Sequence, residues 1–317
     1  MVNRVTTSSI NSALIQNMQQ SYNKYAELTE QISSGNKINS ILDDPYKSLD
    51  IINTNRELNK IDIWNDNISA LTNELKQSTD TIDLIIEKAQ RIKDLATSAS
   101  NETFSSDRLN SILEEVDILI ESTVQSANTK YNDNYIFGGA NTKIPPYEIQ
   151  YDNNNEIIGI KYNGTRQDGE WERQLEISEG IFQTVNVTGI EVFGEADVNG
   201  TSSGIMGDLI EFKNILTDII NNNGQNYSDI SNKLDDFTQS INQMSGVNSK
   251  LGSVTNKLEM SARSLDSTKL NLKSFLSETQ EVDLTEAIAE WYSSQYAYQA
   301  SMQVFTRFNS MSLLNYI

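Results

Sequence analysis

IDIWNDNISALTNELKQSTDTIDLIIEKAQRIKDLA, residues 61–96, keeps one stripe of side chains at spacings of three and four from end to end. The stripe runs through Ile61, Trp64, Ile68, Leu71, Leu75, Ser78, Ile82, Ile85, Ala89, Ile92 and Ala96, and only Ser78 is polar. A two-in-seven stripe this regular predicts a coiled-coil seam, with the left-handed supercoil that a 3.5-residue period implies. A solitary amphipathic helix shows a wider apolar face. Upstream, Asp44 has the chemistry of an N-cap and Pro45 that of a first helical residue, so the helix is expected to open there.

The second half of the chain repeats the signal over the same span. Ile230, Leu234, Phe237, Ile241, Met244, Asn248, Leu251, Thr255, Leu258, Ala262 and Leu265 alternate in the same way. At 1.5 Å per residue each seam is roughly 54 Å long, and two matched seams in one chain are expected to pack on each other. Between them Ser105-Ser106-Asp107 opens a further helix, with Leu109, Ile112, Val116 and Leu119 on one face. The fold class this predicts is mainly α: a long antiparallel coiled-coil bundle built from N- and C-terminal segments. Its stripes are core, and nothing in them suggests a cofactor box.

A β-rich insertion interrupts the bundle. Ten of the fifteen glycines and two of the three prolines lie in 138–204. YEIQYDNNNEIIGIKYNG (147–164) alternates apolar and polar residues on either side of an Asp-Asn-Asn-Asn turn, which reads as a hairpin. RQLEISEG (173–180) and FQTVNVTGIEVFG (182–194) add short strands. The expected division is 1–40 with 282–317 as a terminal helical domain, 41–140 with 205–281 as the coiled coil, and 141–204 as the insert.

Composition excludes several function classes. Asp and Glu number 44 against 24 Lys and Arg, a formal charge of −20, which repels a phosphate backbone. The chain has no Cys and no His, so it lacks disulfides, thiolate metal sites and the commonest general base. Asp43-Asp44 and Glu114-Glu115 are adjacent acids, and neighbours in sequence do not face one another on a helix. Asp152, Asn154 and Glu156 faintly resemble a calcium loop, but Ile157 stands where its glycine is required. No catalytic, cofactor or metal residues are assigned, and no enzyme is read.

Both ends are stripped of charge yet polar: residues 5–23 and 291–306 carry none. Ser, Gln and Asn make either stretch too costly to bury in hydrocarbon, and the first lacks the apolar core of a secretory signal. Leu14, Met18, Tyr25, Leu28 and Ile32 lie on one face of the first helix, which Ser34-Gly35 stops. Leu284, Ile288, Trp291, Tyr298, Met302, Phe305 and Phe308 form an aromatic-rich stripe on the last. Chain ends fray unless tied down, and these are built to be tied down by each other or by neighbouring copies.

ELTEQISSGNKINSILDDPYKSLDI (27–51) resembles the N-terminal signature of the flagellin-related axial proteins of bacteria. The resemblance continues in YNDNYIFGGANTKIPPYE (131–148) and in EVDLTEAIAEWYSSQYAYQASMQVFTRFNSMSLLNYI (281–317). Pro45, the YIFGGANT segment and the Asn315-Tyr316-Ile317 end are more similar to the hook–filament junction branch of that family than to flagellin. The resemblance implies terminal helices paired in the inner wall of a hollow tube, with the coiled coil outside them and the β domain outermost. It implies as partners further copies in a ring, the first hook-associated protein on the hook side, flagellin on the filament side and a chaperone on the C-terminal helix. It also implies unfolded export to the flagellum outside the cell, without a cleaved signal. The rival readings are a short flagellin and a cytoplasmic coiled-coil adaptor, and the second leaves the charge loss at both ends unexplained.

Overall fold

A computed structural model describes residues 7–100, 106–165, 174–184, 187–198, 201–221 and 227–314, so Ser105 and the Asn315-Tyr316-Ile317 end lie outside the described residues. The helices are α1 (Thr7–Ser34), α2 (Pro45–Ala99), α3 (Ser106–Ala127), α4 (Gly189–Phe193), α5 (Gly204–Asn221), α6 (Tyr227–Gln280) and α7 (Leu284–Leu314). The strands are β1 (Lys130–Tyr131), β2 (Asn134–Tyr135), β3 (Tyr147–Tyr151), β4 (Ile157–Tyr162), β5 (Gln174–Ser178), β6 (Ile181–Thr184), β7 (Glu195–Asp197) and β8 (Thr201–Ser203). The chain divides into two compact units, 1–61 with 266–317 and 62–265, and both α2 and α6 contribute to each.

The start of α2 is set by local chemistry. Asp44 Oδ1 accepts the Lys47 amide at 3.1 Å, the N-cap bond expected ahead of Pro45. That bond holds the Asp44 carboxyl below its ordinary range. Its neighbour Asp43 turns back instead, and its Oδ2 accepts the amides of Asn39 and Ser40 at 2.9 and 2.8 Å. At the end of α1, Gly35 sits at φ +75° with its amide on the Gln31 carbonyl, the left-handed stop that glycine adopts without strain.

In the larger unit the α2 stripe is buried along its whole length from Trp64 to Ala96. It is flanked by α3, where Lys88 Nζ donates to the Ser122 carbonyl and the Ser126 hydroxyl at 2.7 Å each. The α6 seam is narrower. Ile230, Phe237, Met244, Leu251, Leu258 and Leu265, every seventh residue, are buried, while Leu234, Ile241, Asn248, Thr255 and Ala262 are half-buried. The amide of Asn248 donates to Asp83 Oδ1 at 2.6 Å, a polar pin between α6 and α2 of the kind that fixes register in a seam.

The sequence places 205–221 within the coiled-coil segment 205–281; in the structure it forms a separate helix, α5, at the centre of this unit. Ile205, Met206, Leu209, Ile210, Phe212, Leu216 and Ile219 are all buried, a helix apolar on more than one face and covered on each. It packs on α3 and on the sheet β3-β4-β7-β8, and Phe212 meets Phe237 of α6 edge to face at 5.7 Å. The hairpin expected at 147–164 forms, with Tyr147 opposite Tyr162 and Ile149 opposite Ile160. Asp152 Oδ1 closes its turn by accepting the amides of Asn154 and Glu156 at 2.9 and 2.8 Å, so this carboxylate shapes a turn. The YIFGG segment is a hub: the Phe137 carbonyl accepts Tyr162 Oη and the Gly189 amide, both at 2.9 Å.

Candidate subunit interface

The terminal helices α1 and α7 pair with each other within the smaller unit. Tyr22 meets Tyr298 and Tyr25 meets Trp291, each at 5.4 Å between ring centroids, so residue numbers rise on one helix as they fall on the other and the pair is antiparallel. Trp291 Nε1 donates to Thr29 Oγ1 at 2.8 Å. Lys24 and Glu290 lie 3.7 Å apart with both side chains about half exposed, a pair of little energetic weight.

The end of the pair is staked by backbone. The Lys37 amide donates to the Gln280 carbonyl at 2.7 Å, the Val282 amide donates to the Gly35 carbonyl at 3.0 Å, and Lys37 Nζ reaches the Glu278 carbonyl at 2.6 Å. Asp283 Oδ1 accepts the amides of Thr285 and Glu286 at 2.9 and 3.2 Å and so caps α7. The turn after α1 and the turn before α7 thereby form one unit of structure.

The expected stripe residues divide between two faces. Leu14, Met18, Tyr25, Leu28 and Ile32 all face the α1–α7 seam, with Leu28 buried and the others half-buried. On α7, Trp291, Tyr298, Phe305 and Phe308 are half-buried in the seam, while Leu284, Ile288 and Met302 are exposed. Ile288 stands about 60° around the helix from Trp291, and Met302 the same from Phe305, at 100° per residue. Leu284, seven residues before Trp291 and so within about 20° of it, is exposed on the same line at the start of α7. The seam also uses Tyr22, Thr29 and the buried Ala287, which the sequence reading missed; apolar periodicity alone does not point to a hydroxyl acceptor or to an alanine.

The outward face of the pair is apolar as well. Ile15 on α1, and Ile288, Tyr292, Tyr296, Met302 and Val304 on α7, are exposed. Single exposed apolar residues need no explanation, but Tyr292, Tyr296, Met302 and Val304 are all exposed on a stretch without one charge, which suits a surface that is covered. Among the described residues no group of three or more His, Cys, Asp or Glu side chains is placed to hold a metal ion. Likewise, none of the described helices is long and apolar enough to cross a membrane.

Two family models match the chain: the bacterial flagellin N-terminal helical region over residues 5–142 and the bacterial flagellin C-terminal helical region over residues 234–317. No curated protein matches it. Among solved structures, a flagellar hook-associated protein from Vibrio parahaemolyticus shares the fold at a TM-score of 0.64 and 17% identity. That match covers 75% of this chain and 100% of the other. Hook-associated protein 3 of Legionella pneumophila matches at a TM-score of 0.57 and 14% identity, over 72% of this chain and 98% of its own. FlgL of Bacillus cereus matches at a TM-score of 0.52 and 19% identity, over 72% and 99%.

Proposed function

The chain belongs to the bacterial flagellin family, whose N- and C-terminal helical regions it both carries, and from that premise we propose that it is a structural subunit of the flagellar axis, forming the layer that joins hook to filament. The observation that carries this reading is the α1–α7 pair: a staked antiparallel pair whose outer face is apolar and free of charge over 291–306, in a chain of formal charge −20. A helix packed among copies of itself cannot bury unpaired charges, each of which costs several kcal/mol to desolvate. Ser, Gln and Asn can bond sideways there, and aromatic rings supply contact area at small entropic cost.

The junction is favoured over the filament by the solved structures of similar fold, which are described as hook-associated proteins and, for another Legionella pneumophila structure, as a flagellar junction protein. A junction subunit presents different surfaces to two different neighbours and so adds a limited layer, whereas a subunit whose head-to-tail contacts with its own copies do not close into a ring propagates without limit. On this reading the first hook-associated protein lies on one side and flagellin on the other. The chain is exported unfolded to the outside of the cell, with a chaperone on α7 beforehand. Residues 1–40 with 282–317 form the polymerising wall, 41–140 with 205–281 the coiled coil, and 141–204 the outermost domain. The role is mechanical, not catalytic.

The purified protein is expected not to grow long filaments under salting-out conditions that polymerise flagellins. A cell lacking it is expected to build hooks and shed flagellin as soluble monomer. Long helical filaments from this protein alone would make it a short flagellin instead.

A further inference from the structure

The connector between α1 and α2 holds apolar side chains out into solvent on a rigid frame. Leu42 is 89% exposed and Tyr46 84%, with Ile41 and Leu49 also well exposed. This is not a loose loop. Asp43 fastens the amides of Asn39 and Ser40, Asp44 caps α2, and the Lys37 amide is bonded to the Gln280 carbonyl. Beside these residues lies a notch of about 150 Å³. Ile38, Ile41, Ile51 and Ile52 supply its apolar lining, Asn39 and Gln280 are among its polar groups, and none of its lining residues carries a charge.

A space of that size with aliphatic walls accepts a benzene ring. The mixed lining adds a condition: the occupant should have an apolar body and a polar tip, as tyrosine has. The chain's acidity adds another, because a second copy is repelled except where both surfaces are uncharged. The charge-free outer face of α7 meets both conditions, and among its aromatics one stands apart. Trp291 and Tyr292 meet edge to face at 5.1 Å, and Tyr298 is engaged by Tyr22. Tyr296 is 66% exposed and belongs to none of the described ring pairs.

We propose that the connector notch of one copy receives the Tyr296 side chain of α7 from a neighbouring copy, so that the notch is a subunit contact with a second copy of this chain. The proposal rests on the reading that copies assemble side by side, and it holds for a junction layer or a filament alike. The contact is head to tail, because notch and tyrosine are different surfaces, and such contacts build rings or helices according to whether the rotation closes.

The chain has no cysteine, which makes the test direct. Leu42→Cys and Ala300→Cys, the latter one turn beyond Tyr296, are produced together in the source bacterium lacking its own copy. Axial structures are sheared from the cells, treated with a short bismaleimide and run on a denaturing gel. The expected result is a dimer of this chain that needs both cysteines. Adding Tyr296→Ala should weaken that band about tenfold, as truncating an aromatic interface anchor does, and Tyr296→Phe should retain it. Loss of Tyr296→Ala from the sheared structures, with the purified variant as helical as its parent, would also support the contact. No mixed dimer in assembled structures would overturn it, as would a band indifferent to Tyr296→Ala or a link only to a different protein. Immunogold labelling, at the hook end or along the filament, reads the junction assignment separately.

Discussion

Trp291 Nε1 donates to Thr29 Oγ1 at 2.8 Å, across 262 positions of sequence, and the Trp291 ring lies 5.4 Å from that of Tyr25. This one side chain ties the last helix to the first. Little else along the pair is deeply buried: of the five α1 stripe residues only Leu28 is fully so. Two long helices joined by a half-buried seam are marginal in water, where isolated helices gain most of their stability from packing.

The arms are therefore expected to open together in dilute monomer. Mild proteolysis should trim α1 and α7 and stop near the backbone bonds of Gly35 and Lys37 to Gln280 and Val282, leaving a helical core. Trp291→Ala should speed trimming of both arms, including α1, which the substitution does not touch. Resistance of both termini to protease in dilute solution would contradict a pair built for assembly.

Leu258 is fully buried on α6, while the adjacent Lys257 is exposed and its Nζ donates to Gln183 Oε1 at 3.0 Å. Leu258→Ala is expected to cost about 2–5 kcal/mol, the range for core leucines, with the lower end fitting a narrow seam. Lys257→Ala should change stability by less than about 0.5 kcal/mol. Thermal melts of the two proteins decide it, and equal midpoints would mean that α6 does not pack along its seven-residue line.

Lys233 lies within 3.5 Å of Asp208 Oδ1 and 2.6 Å of Asp236 Oδ2, and it also pairs with Glu211. Desolvation pulls its pKa down, but the hydrogen bonds it donates to Asp236 and Glu211 and the charges of Asp208 and Glu211 outweigh this and raise it. Burial raises the Asp208 carboxyl, opposed by the Ser240 hydroxyl and by Lys233. Removing one partner of a buried cluster costs about 3–5 kcal/mol, and Lys233→Met should fall at or below the lower end because Glu211 and Asp236 are partly screened by solvent. The sign with pH follows from Asp208. Its folded pKa is raised above the unfolded value, so its share of stability is present at low pH and lost as pH rises through the folded value. Without Lys233 that rise is larger, and the gap between parent and variant should narrow from pH 7 to pH 4.5. Urea midpoints at the two pH values measure it; a gap that widens on acidification would refute the account.

Gly194 sits at φ +73° between α4 and β7, and a Cβ there would lie 1.9 Å from the Ser203 carbonyl oxygen. Its own carbonyl accepts the buried Tyr147 hydroxyl at 2.9 Å. Gly194→Ala should therefore separate β7 from β8 and lower the melting temperature. Gly246→Ala, with nothing within 4 Å of its Cβ and a helical backbone, should be neutral or stabilising. The pair of melts is the check.

What the sequence determined was whatever rests on local chemistry and period. The two long helices, the Asp44 cap, the Gly35 stop and the turn at 152–155 depend on neighbours a few residues away, so their residues announce them. The charge-free ends were legible for the same reason, since charge is counted without coordinates. Tertiary structure decided which face each side chain joins. Leu284, Ile288 and Met302 share a spacing with Trp291 and Phe305, yet only the position of α1 puts the first three in solvent and the others in the seam. It also made α5 the hub: a short apolar run reads as buried, but its partners on α3, α6 and the sheet are far from it in sequence. Period fixes the angle of a side chain about its own helix axis, and only packing fixes what stands opposite.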